Sequence, residues 1–259
     1  MAARIDLNCD MGESFGRWRL GADADVMPHI TSANVACGFH AGDPRTMRAT
    51  VRLARYAHVG VGAHPGFPDL EGFGRRNMTL APDEVEDMVL YQIGALAAIA
   101  ASENVRLRHV KAHGALYNMA VRDRAMATAI AQAVAAFDRS LVFFGLAGSI
   151  LLDAGREAGL RVAAEGFADR TYEPDGTLTP RSRPGAVIHD PDAVVARAVR
   201  MARDGVVTAT DGRDISLHID TLCTHGDTPG AQELTRRLRE AFDAEGVVVR
   251  AVGSGSTEA

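Results

Sequence analysis

Lysine is almost missing from this chain. Of 28 basic residues in 259, Lys111 is the single lysine and the other 27 are arginine. A G-x-x-x-x-G-K-[ST] phosphate loop is thereby excluded, because Val110 and Ala112 flank that lysine. No run of five basic residues occurs and the net charge is −5, which argues against nucleic acid as the main partner. No window approaches 18 uninterrupted apolar residues, and residues 1–6 carry no apolar leader core, so neither membrane insertion nor secretion is expected. The three cysteines, Cys9, Cys37 and Cys223, are widely spaced and form no C-x-x-C pair, the pattern of a reducing cytosol. Aromatics make up only 5% against 47% hydrophobic residues, so the core must be built mostly from Ala, Val and Leu. Gly60, Gly62 and Gly66 miss the dinucleotide G-x-G-x-x-G spacing by one. Gly148-Ser149 lacks the closing glycine of a nucleophile elbow, and a calcium loop from Asp6 would need a glutamate where Arg17 stands.

What is present is a regular alternation. Strand-like runs at 4–9, 30–37, 59–63, 106–111, 141–145, 161–165, 215–222 and 247–252 are separated by helix-length periodic segments. The helix over 82–101 opens on Pro82 and acidic residues, another opens at Asp190-Pro191, and a last one follows Thr228-Pro229. Seven or eight βα units in this length fit an α/β barrel better than a doubly wound sheet. Residues 1–252 are expected to form one (β/α)-barrel domain, and 253–259 read as a flexible tail. The stretch from Gly166 to Pro184 reads as a long unstructured loop. It carries Asp169, Arg170, Tyr172 and Arg183, which suggests a lid or binding loop.

The polar residues gather where strands end. Period two places Asp6, Asn8 and Asp10 on one face of the first strand, with Leu7 and Cys9 on the other. His40, His64, His113 and His225 each follow a strand and lie close to a glycine. In a parallel α/β fold those ends share one mouth, so the set points to an active site. Lys111 sits between His109 and His113; a compact charge whose pKa burial can lower is something arginine does not offer.

These residues resemble the LamB/YcsF family. The matching segments are DLNCDMGESFG (6–16), NVACGFHAGDP (34–44), GAHPGFPDLEGFGRR (62–76), HVKAHGALYN (109–118), EGFADRTY (165–172), RPGAVI (183–188) and CTHGD (223–227), which span nearly the whole chain in order. Departures are Ala112, where the family usually reads Pro, and Thr224, where Val is common. The resemblance implies ATP-dependent opening of the 5-oxoproline lactam to glutamate, carried out with the 5-oxoprolinase subunits B and C, and leaves self-association open. It also implies a seven-stranded barrel similar to the glycoside hydrolase/polysaccharide deacetylase barrel, where an Asp and two His commonly hold a divalent metal. Asp10, His40 and His64 are the positional candidates for that set.

Opening an unactivated amide needs a base for water, charge on the tetrahedral oxygen and a proton for the leaving nitrogen. Asp10 or Glu13 suits the base, Lys111 the charge and His113 the acid. Arg75 or Arg76 suits a substrate carboxylate. Asn8, Asn34, Asp169, His225 and Asp227 complete the expected binding residues, and the helix start at 227–230 is one place for phosphate. ATP is expected to be handled with, or largely by, the partner subunits. Two other readings stand beside this one: a lone metal-dependent amide or N-acetyl hydrolase, and a non-catalytic scaffold subunit.

Overall fold

Seven parallel strands close into a ring, and the first strand is where it closes. The structure is a computed structural model and describes residues 3–225 and 230–253, with the side chain of His225 also outside the described set. The chain runs β1 (Arg4–Met11), α1 (Asp23–Val26), β2 (Ser32–Ala36), α2 (Pro44–Tyr56) and β3 (Gly60–His64). It continues through α3 (Pro82–Ser102), β4 (Leu107–Lys111), α4 (Gly114–Ala120), α5 (Arg124–Phe137) and β5 (Val142–Leu146). Next come α6 (Ile150–Glu157), β6 (Arg161–Phe167), α7 (Pro191–Asp204), β7 (Val206–Thr208) and β8 (Asp214–Ser216), then β9 (Thr221–His225), α8 (Ala231–Ala244) and β10 (Val248–Val249).

Strands β1, β2, β3, β4, β5, β6 and β9 pair in that order, and β9 returns to β1 with Asn8 opposite Cys223 and Asp10 opposite His225. This is the expected (β/α) barrel with seven strands. Helix starts follow the capping logic of the sequence. Asp43 accepts from the backbone N–H groups of Arg45 and Thr46 at the head of α2, and Asp190 accepts from Asp192 N–H before Pro191 opens α7. Leu7 and Cys9 face outward into the hydrophobic layer beneath the helices, while Asp6, Asn8 and Asp10 face the barrel interior. The opposite side of the interior is apolar, with Val142, Phe144 and Ala163 packed together. Helix α3 is long and apolar enough to cross a membrane by length and composition. Here its stripe from Val85 to Ala100 is buried, and α3 packs on α5.

Three expectations change. The run 215–222 is not one strand: Asp214–Ser216 forms an antiparallel hairpin with Val206–Thr208, and the barrel strand starts at Thr221. The break falls where Leu217 N–H turns to Gly205 O and Asp220 caps Ala164 N–H. The terminal strand shrinks to Val248–Val249, which pairs with Arg4 and Ile5 outside the ring. The 166–184 stretch is not structureless, since β6 extends to Phe167 and short bridges join Arg170 to Val187 and Tyr172 to Leu178. Tyr172 is fully buried and its hydroxyl accepts from Phe167 N–H at 2.8 Å, which pins the loop to the strand.

Candidate active site and metal centre

The carboxyl ends of the ring open into a cleft of about 620 Å³ whose lining includes Asp10, His64, Arg75, Lys111, His113, Tyr117, Phe167 and Arg170. Below it, the inward side chains of β1, β2, β4, β6 and β9 form one hydrogen-bonded lattice. Asp6 at the bottom accepts from Thr31, Ser32 and Thr221 hydroxyls, and burial raises its pKa. Asn8 donates to Thr221 Oγ1 and Glu165 Oε1 at 2.7 and 3.1 Å. Asn34 donates to Asn8 Oδ1 and Asp10 Oδ1 at 2.7 and 2.8 Å, and its own oxygen lies 2.7 Å from His109 Nε2. His109 stacks on Phe144 at 4.3 Å, and burial lowers its pKa to about 3.

Lys111 sits at the centre of this lattice. Its Nζ lies 2.9 Å from Asp10 Oδ1, 2.9 Å from Glu165 Oε1, 3.0 Å from Cys223 Sγ and 3.3 Å from Asn8 Oδ1. Burial alone would strip its proton, but the negative groups around it outweigh that and hold its pKa well above the usual lysine value. Burial likewise pushes the Cys223 thiol up, so the neighbouring sulfur stays protonated. An ammonium has three hydrogens and these four acceptors use them all. Lys111 therefore lines the cleft while its ammonium is also tied to Asp10 and Glu165 inside the barrel. Glu165 is also held by the Tyr117 hydroxyl at 2.8 Å.

The histidines form a separate knot at the mouth. His64 Nδ1 is 2.8 Å from the Lys111 carbonyl and His113 Nε2 is 2.8 Å from the Phe73 carbonyl. A carbonyl only accepts, so those two nitrogens carry the hydrogens. Burial lowers the His113 pKa to about 3 and keeps that ring neutral. His113 Nδ1 then presents a lone pair toward His64 Nε2 at 3.0 Å, and Asp10 Oδ2 lies 3.4 Å from that same His64 nitrogen. His40 stacks face to face on His113 at 3.7 Å, burial drives its pKa well down, and neither of its buried ring nitrogens has a hydrogen-bond partner among the described residues. One donor atom each from Glu13, His40, His64 and His113 lies within 4.8 Å of the others, so this buried group can hold a metal ion. The backbone carbonyls on His64 and His113 act as outer supports that fix each tautomer.

Glycines make this crowding feasible. A Cβ on Gly62 would fall 2.2 Å from the His109 ring, and one on Gly66 would fall 2.6 Å from His40 Nδ1. Phe73 adopts φ +55°, a costly backbone state for a non-glycine, and its carbonyl is the one that orients His113. Gln92 on α3 clasps Gly66 twice, accepting from its N–H and donating to its carbonyl, both at 2.9 Å. Ala112, in place of the family's usual proline, leaves the next residue anchored: His113 N–H donates to Pro65 O at 2.8 Å.

Asn8, Asp10, Glu13, Asn34, His40, His64, Lys111 and His113 are therefore brought together. Arg75 lines the cleft with its guanidinium over the Phe73 ring at 4.8 Å. Arg76 is not brought there; Asp69 holds it in an ion pair while Arg75 takes the cleft side. Asp169 does not line the cleft. The side chain of His225, Asp227 with the rest of the expected phosphate position up to 229, and the tail beyond 253 lie outside the described residues. Sequence reasoning missed Glu165, Tyr117 and Gln92, although strand alternation placed Glu165 on the inward face of β6 and Gln92 is a lone polar residue in an apolar helical stripe.

Known proteins share this architecture from end to end. The chain is 57% identical over 251 residues to the 5-oxoprolinase A subunit of Bordetella pertussis, covering 97% of this chain and 100% of that one. It is 54% identical over 250 residues to the 5-oxoprolinase A subunit of Pyrococcus furiosus, covering 96% and 98%. The crystal structure of the lactam utilization protein from Thermus thermophilus superposes with a TM-score of 0.92 at 51% identity, covering 96% of this chain and 99% of that one. The sequence profile of the LamB/YcsF family matches residues 5–256, and the chain belongs to that family.

Proposed function

We propose that this chain is the A subunit of an ATP-dependent 5-oxoprolinase and opens the lactam of 5-oxo-L-proline to L-glutamate, in the cytoplasm and together with subunits B and C. The observation that carries this reading is the identity of 54–58% to proteins of that name along essentially their full length. The absence of a phosphate-loop lysine supports a nucleotide step shared with, or performed by, the partner subunits. Three buried free cysteines fit a reducing compartment.

The site residues divide the work. Glu13, His40, His64 and His113 would hold a divalent ion, for which one carboxylate and three imidazoles suit zinc or another borderline transition metal better than magnesium. Such an ion, when bound, polarises the lactam carbonyl and acidifies water. Asp10, fixed by Lys111 and Asn34, accepts a proton from the water that adds to the carbonyl carbon. As the C–N bond breaks, the same carboxyl returns the proton to the ring nitrogen, so one water is consumed and one glutamate leaves, the ATP-driven activation of the lactam being supplied with the partner subunits. His113 keeps its hydrogen on Nε2 against the Phe73 carbonyl and turns the Nδ1 lone pair inward, which suits the metal group better than general acid work. Arg75 at the mouth contributes positive charge toward the substrate carboxylate.

Turnover of 5-oxoproline is the decisive test, with and without ATP, for this chain alone and then with its co-encoded neighbours. Glutamate release only in the complete ATP-containing mixture is expected. No release from that mixture would sink the reading, as would unchanged activity in Asp10→Asn, which a mere scaffold would tolerate.

A further inference from the structure

The loop after β6 carries a cation that the reaction scheme above leaves unused. Arg170 is 5% exposed and lines the cleft. Its Nε donates to Ala186 O at 3.2 Å and its Nη2 donates to Thr179 O at 2.6 Å. Neither acceptor carries charge, and the guanidinium has no carboxylate ion-pair partner among the described residues. Two of its five N–H donors are used in these bonds, which leaves three. A buried, uncompensated guanidinium is among the most costly arrangements a fold can keep unless an anion arrives to share it. Burial, with Arg181 and then Arg75 repelling it, lowers its pKa to about 10; Asp169 offsets only part of this. Arg181, Arg75 and Arg122 line the same cleft, so four arginines face it while Asp10 is the sole carboxylate among the described lining residues. The bridges from Arg170 to Val187 and from Tyr172 to Leu178 fix this wall in place without the ligand.

We propose that Arg170, assisted by Arg181 and Arg75, forms a preorganised anion subsite that anchors the substrate's carboxylate and makes Arg170 the residue that separates 5-oxoproline from uncharged lactams. This rests on the lactam-opening reading and adds the group that selects the substrate. A planar fork with free donors grips a carboxylate bidentately, and a neutral ring leaves it unmatched. The lactam end is thereby placed toward Asp10, His64 and His113, which line the same cleft.

The test compares binding of 5-oxoproline, 2-pyrrolidinone and inorganic phosphate to the full chain, and turnover by the complex reconstituted with its partner subunits. Wild type is expected to bind 5-oxoproline about 10–100-fold more tightly than 2-pyrrolidinone. Arg170→Met is expected to lose that discrimination, with KM rising about 10–100-fold and kcat moving far less. Arg170→Lys, which keeps charge without the fork, should fall between. Because Arg170 also ties two carbonyls, thermal melting is recorded alongside; if Arg170→Met does not fold, Arg181→Ala at the exposed rim should still weaken 5-oxoproline selectively. Equal loss of both lactams, or unchanged discrimination in the folded variants, overturns the subsite. Phosphate binding that depends on Arg170 and is not displaced by 5-oxoproline also overturns it, by assigning the wall to a phosphate group. Turnover without Arg170-dependent discrimination would refute the subsite alone. Arg170-dependent binding in a complex that releases no glutamate would refute the function alone.

Discussion

Replacing Lys111 by methionine removes one cation from between two buried carboxylates and leaves the side-chain volume nearly unchanged. Each Nζ–carboxylate contact is 2.9 Å, worth about 6 kcal/mol of attraction at an effective dielectric of ~20 before desolvation is subtracted. Stripping one partner from a buried ion pair typically costs about 3–5 kcal/mol, because the orphaned charge stays behind. Here Asp10 and Glu165 are both orphaned, so the upper end applies. A chain of this size shifts its melting temperature by about 2–4 °C per kcal/mol, which gives a drop of about 10–20 °C. Far-UV circular dichroism is the right probe, since the single tryptophan, Trp18, is exposed and distant from the barrel interior. The discriminating variant is Lys111→Met combined with Glu165→Gln, which removes one orphaned carboxylate while keeping its shape. If the lysine acts as an internal counter-ion, the double variant should recover at least about 1–2 kcal/mol relative to the sum of the single changes. Strict additivity would refute the electrostatic account. Lys111→Arg keeps the charge but overfills a lattice built around a compact ammonium, and a loss of about 1–3 kcal/mol is expected in urea melts.

Other sites offer sharper single tests. Gly62→Ala drives a methyl group to 2.2 Å from the His109 ring, so soluble yield should collapse or stability fall by about 3 kcal/mol; a well-folded variant would show that the interior can shift. Gln92→Leu leaves the Gly66 N–H and carbonyl without their clasp, and faster hydrogen exchange at Gly66 with a loss of about 2 kcal/mol is expected. His109 takes its proton less readily when folded, with a pKa of about 3 against ~6.5 unfolded. The unfolded chain therefore binds the proton first, stability is intact above pH ~6.5, and it declines as pH falls toward 3. Between pH 7 and 5 that one group accounts for about 2 kcal/mol, so denaturant midpoints of His109→Gln should fall less over this range than those of wild type. Elemental analysis of purified protein is expected to find about one divalent ion per chain, lost in His64→Ala and in Glu13→Gln; full retention in both would remove the metal assignment.

How much of this was legible beforehand depends on the range over which each signal acts. The alternation of Asp6, Asn8 and Asp10 against Leu7 and Cys9 is local, and the first strand follows it residue for residue. The histidines after strands were likewise visible, because a parallel barrel sends every strand end to one mouth. Hidden from local pattern were contacts that cross the ring: Asn8 reaches Glu165 over 157 residues, and Lys111 reaches Cys223 over 112. For that reason the sequence showed Lys111 at a strand end but not the acceptors, Asp10, Glu165 and Cys223, that surround its ammonium. The adjacent pair Arg75-Arg76 could not be divided from sequence either; Asp69, seven residues before Arg76, decides which of the two faces the cleft. The segment 215–222 misled because its apolar spacing suits a strand throughout, while Gly205, far back in the chain, draws Leu217 away.

Closing the ring through β1 has a consequence for how the chain is made. Asn8 waits for Thr221, 213 residues later, before its side chain finds that partner. At a synthesis rate of about 5–20 residues per second, β1 is exposed to solvent for roughly 10–40 s before β9 has emerged. A strand made wholly of branched apolar residues would spend that interval seeking other chains. The inward face of β1 offers instead Asp6, Asn8 and Asp10, which water can satisfy until the barrel does, so the polar lattice of the finished barrel begins as a strand face that tolerates solvent.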